Sequence, residues 1–272
     1  MGFRLPDFRA KLNMPIASTI SDRIRRHAAR GTPALIPYIT AGFPTKDAFA
    51  PQLRALQKHA ALVEVGVPFS DPMADGATIQ HSSRRALESG VTLDWILATL
   101  AELKGSLESP VALMSYLNPL IHLGMETLAA RCAESGVALL IIPDLPLEES
   151  AGLRAALHAR GVGLVQLVSP VTPPERAAHL ARHSDGFLYA VTVTGVTGAT
   201  AQPGAPVDLD AYLGHLRSVS PVPVCAGFGI RSRQQVRALS GNADGAIVGS
   251  ALIAAIERGE DAGAFLASLA GE

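Results

Sequence analysis

Short apolar runs recur along the chain, separated by segments of helical period. Eight runs rich in Val, Ile and Leu, at residues 34–40, 61–67, 111–116, 138–143, 163–168, 187–193, 222–226 and 245–249, are bounded by Gly, Pro or Asp and read as strands. They are continuous rather than alternating, the pattern of parallel strands covered on both faces. Helical periodicity fills the intervals at 45–59, 78–87 with 92–104, 125–134, 148–159, 174–183, 208–218, 232–239 and 251–258. Start and stop signals agree: Thr45 can cap the first, Pro173, Pro174 and Glu175 open the fifth, and Gly90, Gly136, Gly161 and Gly259 close others. An amphipathic helix at 19–30 precedes the first strand, and a short one at 262–270 ends the chain.

Strands alternating with helices eight times over predict an α/β fold, a (β/α)8 TIM barrel with an extra N-terminal helix. An open doubly wound sheet is the alternative, but it needs a topological switch and usually has fewer strands. The expected organisation is an N-terminal arm at 1–18 and a single barrel domain at 19–272. No linker splits the chain, and the Gly/Pro-rich stretch 195–206 lies between a strand and its helix, where a barrel carries an active-site loop.

Composition narrows the class. Of 272 residues, 48% are hydrophobic and only 17% charged, which excludes a disordered, solvating chain. The net charge of −1 lacks the basic excess that drives nucleic-acid binding. The longest uncharged run, 186–207, is broken by Gly and Pro, so no membrane span is expected, and the N-terminus has no signal-peptide h-region. Cys132 and Cys225 are too few and too far apart for a disulfide framework or a zinc cluster, and they point to a reducing, cytoplasmic compartment.

Within this charge-poor chain Glu64 is conspicuous. It sits mid-strand in ALVEVGVPFSDP. Alternation sends Val63, Val65 and Val67 to one face and Leu62, Glu64 and Gly66 to the other. With the Val face toward the helices, Glu64 points into the barrel, where burial raises a carboxyl pKa toward the range useful for proton transfer. The competing role is a structural, hydrogen-bonded Glu, but no strand carries a Lys or Arg to pair with it. Asp75, in the following loop, is equally readable as a functional carboxylate or as the N-cap of a helix beginning near Thr78. Asp71 precedes a proline and can simply shape a turn. Asp144, at the end of the fourth strand, is open between function and loop bracing. Arg23, Arg25, Arg26 and Arg30 read as a solvated helix face.

Three glycine-bearing segments suit a phosphate: Gly195-Val196-Thr197-Gly198, Gly227-Phe228-Gly229-Ile230, and Gly249-Ser250 ahead of an apolar helix. Two follow strands seven and eight, the usual barrel phosphate site. The only lysines, Lys11, Lys46, Lys58 and Lys104, lie off the strands, so Schiff-base chemistry lacks a nucleophile. The eight histidines form no metal-ligand spacing, and no metal is expected. What remains is carboxylate acid/base chemistry on a small phosphorylated substrate.

The strings PALIPYITAGFPT, EVGVPFSDPMADGATIQ, MSYLNP, PDLPLEES, YAVTVTGVTGAT, AGFGI and AIVGSALI, in this order from about Thr19 onward, resemble the tryptophan synthase alpha subunit family. The resemblance implies a barrel that cleaves indole-3-glycerol phosphate to indole and glyceraldehyde 3-phosphate by retro-aldol chemistry, without a cofactor in this chain. It implies Glu64 as catalytic acid/base and Asp75 as the carboxylate that holds the indole N–H. It implies an indole pocket of Tyr38, Met114, Tyr116, Ile141, Phe228 and Ile247, with Tyr189 beside the glutamate. Phosphate would sit on Gly198, Gly229, Gly249 and Ser250, Thr197 would brace Asp75, and loops 68–76 and 193–206 would close over substrate. The family's partner is a pyridoxal phosphate-bearing beta subunit in an alpha2-beta2 tetramer. Asp71, Pro72 and Asn118 fall in segments that resemble the partner-facing surface. Ala77, in place of a frequent proline, Leu117, in place of a common aromatic, and the longer N-terminal arm depart from the family pattern.

Other readings use the same features. A neighbouring phosphosugar isomerase or synthase would share the phosphate loops but not the inward Glu with its Asp75 loop. A mainly regulatory subunit, or a stand-alone indole-releasing enzyme, would differ in how activity responds to the beta partner.

Overall fold

The computed structural model describes residues 15–192, 208–227 and 229–271. Eight parallel strands, β1 (Ala34–Thr40), β2 (Val63–Gly66), β3 (Val111–Met114), β4 (Val137–Ile141), β5 (Gly163–Val168), β6 (Leu188–Val191), β7 (Val224–Gly227) and β8 (Gly245–Val248), pair in chain order and close as β8 meets β1. The closing register sets Ala34 against Gly245 and Pro37 against Val248. The expected barrel is therefore present, and the doubly wound alternative is excluded because no sheet edge is left open.

Two cores follow from strand alternation. Val63, Val65 and Val67 pack outward with Leu113, Leu140 and Leu164 against the helices. Ile36, Leu62, Ala112, Ile141, Val165, Cys225 and Ile247 fill the barrel interior. Small residues lie where neighbours crowd: a Cβ at Gly245 would stand 2.5 Å from the Cys225 sulfur.

The helices α2 (Lys46–Leu56), α3 (Ala77–Glu88), α4 (Leu93–Leu103), α6 (Met125–Glu134), α7 (Ala151–Ala159), α8 (Pro174–Arg182), α9 (Leu209–Val219), α10 (Arg233–Ala238), α11 (Ser250–Glu257) and α12 (Ala262–Ala270) follow the expected order. A short helix α5 (Leu117–Ile121) and a 3-10 turn (Leu147–Glu149) were not anticipated, being too brief to show a period. No helix among the described residues is long and apolar enough to cross a membrane.

Helix α1 runs Pro15–Ala28, starting ahead of the expected Thr19; proline suits a helix start because its missing N–H would be unpaired there. It closes the N-terminal mouth of the barrel. Ile20 and Ile24 are fully buried in the interior core, and the Ser21 hydroxyl donates to the Gly186 carbonyl at 2.6 Å. The expected solvated arginine face holds for Arg25, Arg26 and Arg30, which are exposed, and is corrected for Arg23, which is partly buried. Arg23 donates to the Ser109 hydroxyl at 2.8 Å and Arg25 to the Pro221 carbonyl at 2.8 Å, so both tie the helix to loops that lead into strands.

Candidate active site

Strand register brings the chemistry together at the C-terminal end of the barrel. Tyr38 on β1 lies beside Glu64 on β2, which lies beside Ala112 on β3. Glu64 is 0% exposed. Neither carboxyl oxygen has a hydrogen-bond partner among the described residues. Burial alone pushes its pKa up to about 8. An ion there would lose its hydration without a compensating donor, so the group is held neutral near physiological pH. A structural Glu satisfied by hydrogen bonds, the competing role, is not what the barrel contains.

Beyond Tyr38 and Tyr189, whose phenols sense the Glu64 charge, opens a cavity of about 220 Å³, and Glu64 itself is not among its lining residues. Of the expected site residues, Tyr38, Asp75, Met114, Tyr189, Gly229, Ile247, Gly249 and Ser250 line it. Tyr116 lines a small adjoining cavity with Tyr38, Asp75 and Met114. Ile141 sits one layer lower, fully buried in the interior core, and Pro143 takes the wall position two residues further on. Thr197, Gly198, Phe228 and the loop 193–206 lie outside the described residues. The cavity also uses Gly227, from one of the expected phosphate segments, and Leu167, Ile79 and Val191, which sequence reasoning did not select. Leu167 had a usable signal, as the last inward position of β5 beside outward Gln166 and Val168.

The two tyrosines stand over glycines. A Cβ on Gly66 would lie 2.1 Å from the Tyr38 hydroxyl, and one on Gly227 would lie 3.0 Å from that of Tyr189. Only glycine leaves room for these rings to lean across the barrel mouth. Burial raises the pKa of both phenols, and the charge of Glu64 adds to this, so both remain neutral hydroxyls.

Asp75 is half-buried, and α3 begins at Ala77 with Gly76 as N-cap and no side-chain cap bond. The capping role is thereby excluded, and the carboxylate is free to face the cavity. Burial raises its pKa, while a hydrogen bond from Tyr116 lowers it. Asp144 braces instead: its carboxylate accepts the Leu117 N–H at 2.9 Å, opening α5.

Helix α11 opens on the same cavity. Its N-cap is Gly249, with no side-chain cap, whereas α2, α4, α9, α10 and α12 are capped by Thr45, Thr92, Asp208, Ser232 and Asp261. The first-turn N–H groups of α11 and the Ser250 hydroxyl are therefore unspent among the described residues, beside Gly229 at φ +56°. Unspent donors at the positive end of a helix dipole make an anion site. Among the described residues no group of three or more His, Cys, Asp or Glu could hold a metal ion.

Comparison with known proteins agrees with this arrangement. Residues 24–269 match the family model of the tryptophan synthase alpha chain. The chain is 47% identical over 251 residues to the tryptophan synthase alpha chain of Nitratidesulfovibrio vulgaris strain Hildenborough, covering 92% of this chain and 97% of that one. It is 43% identical over 241 residues to that of Chloroflexus aggregans, covering 88% and 90%. Among solved structures it resembles tryptophan synthase from Mycobacterium tuberculosis, with a TM-score of 0.82, 34% identity and coverage of 94% and 96%. It also resembles a chain of the tryptophan synthase complex from Pyrococcus furiosus, with a TM-score of 0.79, 33% identity and coverage of 88% and 98%.

Proposed function

The chain belongs to the tryptophan synthase alpha chain family, and on that premise we propose that Glu64 and Asp75 carry out its reaction. The protein is a carbon–carbon lyase of tryptophan biosynthesis that cleaves indole-3-glycerol phosphate to indole and glyceraldehyde 3-phosphate. The isomerase reading is set aside accordingly. The observation that carries the assignment of the base is the unpartnered, fully buried Glu64 carboxyl on the strand beside Tyr38.

In this reading the indole ring lies against Tyr38, Met114, Leu167, Tyr189 and Ile247. The neutral Glu64 carboxyl gives its proton to ring C3. Positive charge then spreads to the ring nitrogen, whose N–H donates to the Asp75 carboxylate. The Glu64 carboxylate removes the proton of the C3′ hydroxyl, the C3′–C3 bond breaks, and its electron pair returns to the ring. Indole and the aldehyde are formed, and Glu64 regains its proton. A group with a pKa of about 8 suits both halves of this exchange, since it neither holds nor releases its proton too strongly near neutral pH. Asp75 supplies a fixed charge in a site sheltered from water, where it acts most strongly. Phosphate rests on the start of α11, with Gly229, Gly249 and Ser250.

The chemistry needs no cofactor of its own. Pyridoxal phosphate is expected only in a beta partner, with which this chain forms an alpha2-beta2 tetramer in the cytoplasm. Support for such a partner comes from the barrel end that carries the site. Asp71 and Asn118 are exposed, and α5, which carries Asn118, borders an apolar groove on which Ile121 and Met125 are 55% and 47% exposed. Residues 19–272 act as one catalytic domain.

The test is release of indole from indole-3-glycerol phosphate, with and without the beta subunit. Glu64→Gln is expected to lose at least ~10²-fold in turnover. Retained turnover would overturn the assignment of the base, and equal, high rates with and without the partner would overturn the partnered reading.

A further inference from the structure

Tyr116 does more than wall the pocket. It follows β3, and its side chain reaches across to the loop between β2 and α3. Its ring stacks on Phe69, with centroids 5.2 Å apart at 32°. Its hydroxyl accepts the Ala74 N–H at 2.9 Å. The same hydroxyl faces the small cavity that Asp75 also lines, and its donor character opposes the upward push of burial on the Asp75 pKa. The rest of the loop has little to hold it: Met73 is 75% exposed, and Asp71 and Ala74 are exposed. Gln80 adds a backbone tether, donating to the Asp75 carbonyl at 2.9 Å, but it leaves the carboxylate unconstrained.

We propose that Tyr116 is a positioning residue, a clamp that fixes Asp75 in its productive orientation by holding the loop that leads to it, through the Phe69 ring and the adjacent Ala74 N–H. This rests on the reading of Asp75 as the carboxylate that faces the indole nitrogen. A loop-borne charge is useful only when held still, because small misplacements of a reacting group are costly. The hydroxyl also keeps the carboxylate ionised, since a donor favours the charged form.

The groups facing Asp75 from the surrounding elements are Tyr38 on β1, Glu64 on β2, Tyr116 after β3 and Tyr189 on β6, with Asp144 acting on Tyr116. All three phenols stay neutral across the working range, and Glu64 stays protonated until about 8. The acid limb of activity therefore reports Asp75. Removing the Tyr116 hydroxyl leaves burial unopposed, raises the Asp75 pKa and moves that limb to higher pH.

The experiment is steady-state cleavage of indole-3-glycerol phosphate by the full chain across pH, for wild type, Tyr116→Phe, Asp75→Asn and the double variant, with circular dichroism confirming each fold. The expected result is a kcat loss on the order of 10-fold for Tyr116→Phe, as for one lost hydrogen bond that holds the loop bearing a charged group. Its acid limb moves up, and the double variant is no worse than Asp75→Asn alone. If Asp75→Asn is inactive while Tyr116→Phe keeps its kcat and acid limb, or changes only KM, Tyr116 is a pocket wall and the clamp is wrong. If Asp75→Asn turns over like wild type, the assignment of Asp75 fails and the clamp with it.

Discussion

Glu64→Gln tests the physical basis of the site in the absence of substrate. The folded chain holds the Glu64 proton up to about 8, whereas an ordinary glutamate releases it near 4.5. A raised carboxyl pKa means that the folded state binds the proton more tightly than the unfolded state. Its contribution to stability is intact below pH 4.5 and is lost as pH rises toward 8. Gln keeps the shape and never ionises, so the variant should gain on wild type as pH rises. With these two pKa values the titration-dependent gap is ~1 kcal/mol at pH 5 and ~4 kcal/mol at pH 7.5, an increment of ~3 kcal/mol. Any fixed cost of burying an amide is the same at both pH values and cancels. Thermal unfolding of the two proteins at pH 5 and pH 7.5 measures the increment, expected to be on the order of 6 °C in Tm for a chain of this size. A Tm difference that does not change between the two pH values would refute the reasoning. Glu64 would then be ionised in the folded protein and would have no proton to give the indole ring.

Three further outcomes are expected. Gly66→Ala places a Cβ 2.1 Å from the Tyr38 hydroxyl and displaces that ring into the cavity; steady-state kinetics should show a raised KM, and unfolding should show a loss of ~1–3 kcal/mol from overpacking. Ser250→Asp sets a carboxylate against the substrate phosphate while suiting the α11 dipole, so KM should rise at least ~10-fold while Tm is held or raised; an unchanged KM would remove α11 from the phosphate site. Ile24→Ala opens a void in the plug at the far end of the barrel and should cost ~2–5 kcal/mol in urea unfolding, with kcat/KM at low temperature unchanged.

The eight apolar runs, their spacing and their boundaries already implied the barrel, because a strand buried on both faces has to read as continuously apolar. Alternation alone put Glu64 in the interior, since the Val63, Val65 and Val67 face could only go to the helices. The resemblance of the motifs carried the family. Asp75 was different: capping and catalysis ask for the same residue type at the same place, and only the start of α3 at Ala77, with Gly76 as its uncapped N-cap, separated them. The depth of a side chain was also hidden. Ile141 ends β4 on its inward face and Pro143 follows in the turn beyond it, and which of them meets the cavity depends on how far the barrel stagger lifts that strand end. Arg23 looked solvated because its partner, Ser109, is 86 positions away. Local chemistry and period are written in neighbouring residues, so sequence determined the strands, the helices and the buried acid. The bond between Tyr116 and Ala74, the α1 plug and the cavity wall join residues distant in the chain, and only closure of the barrel brings them into contact.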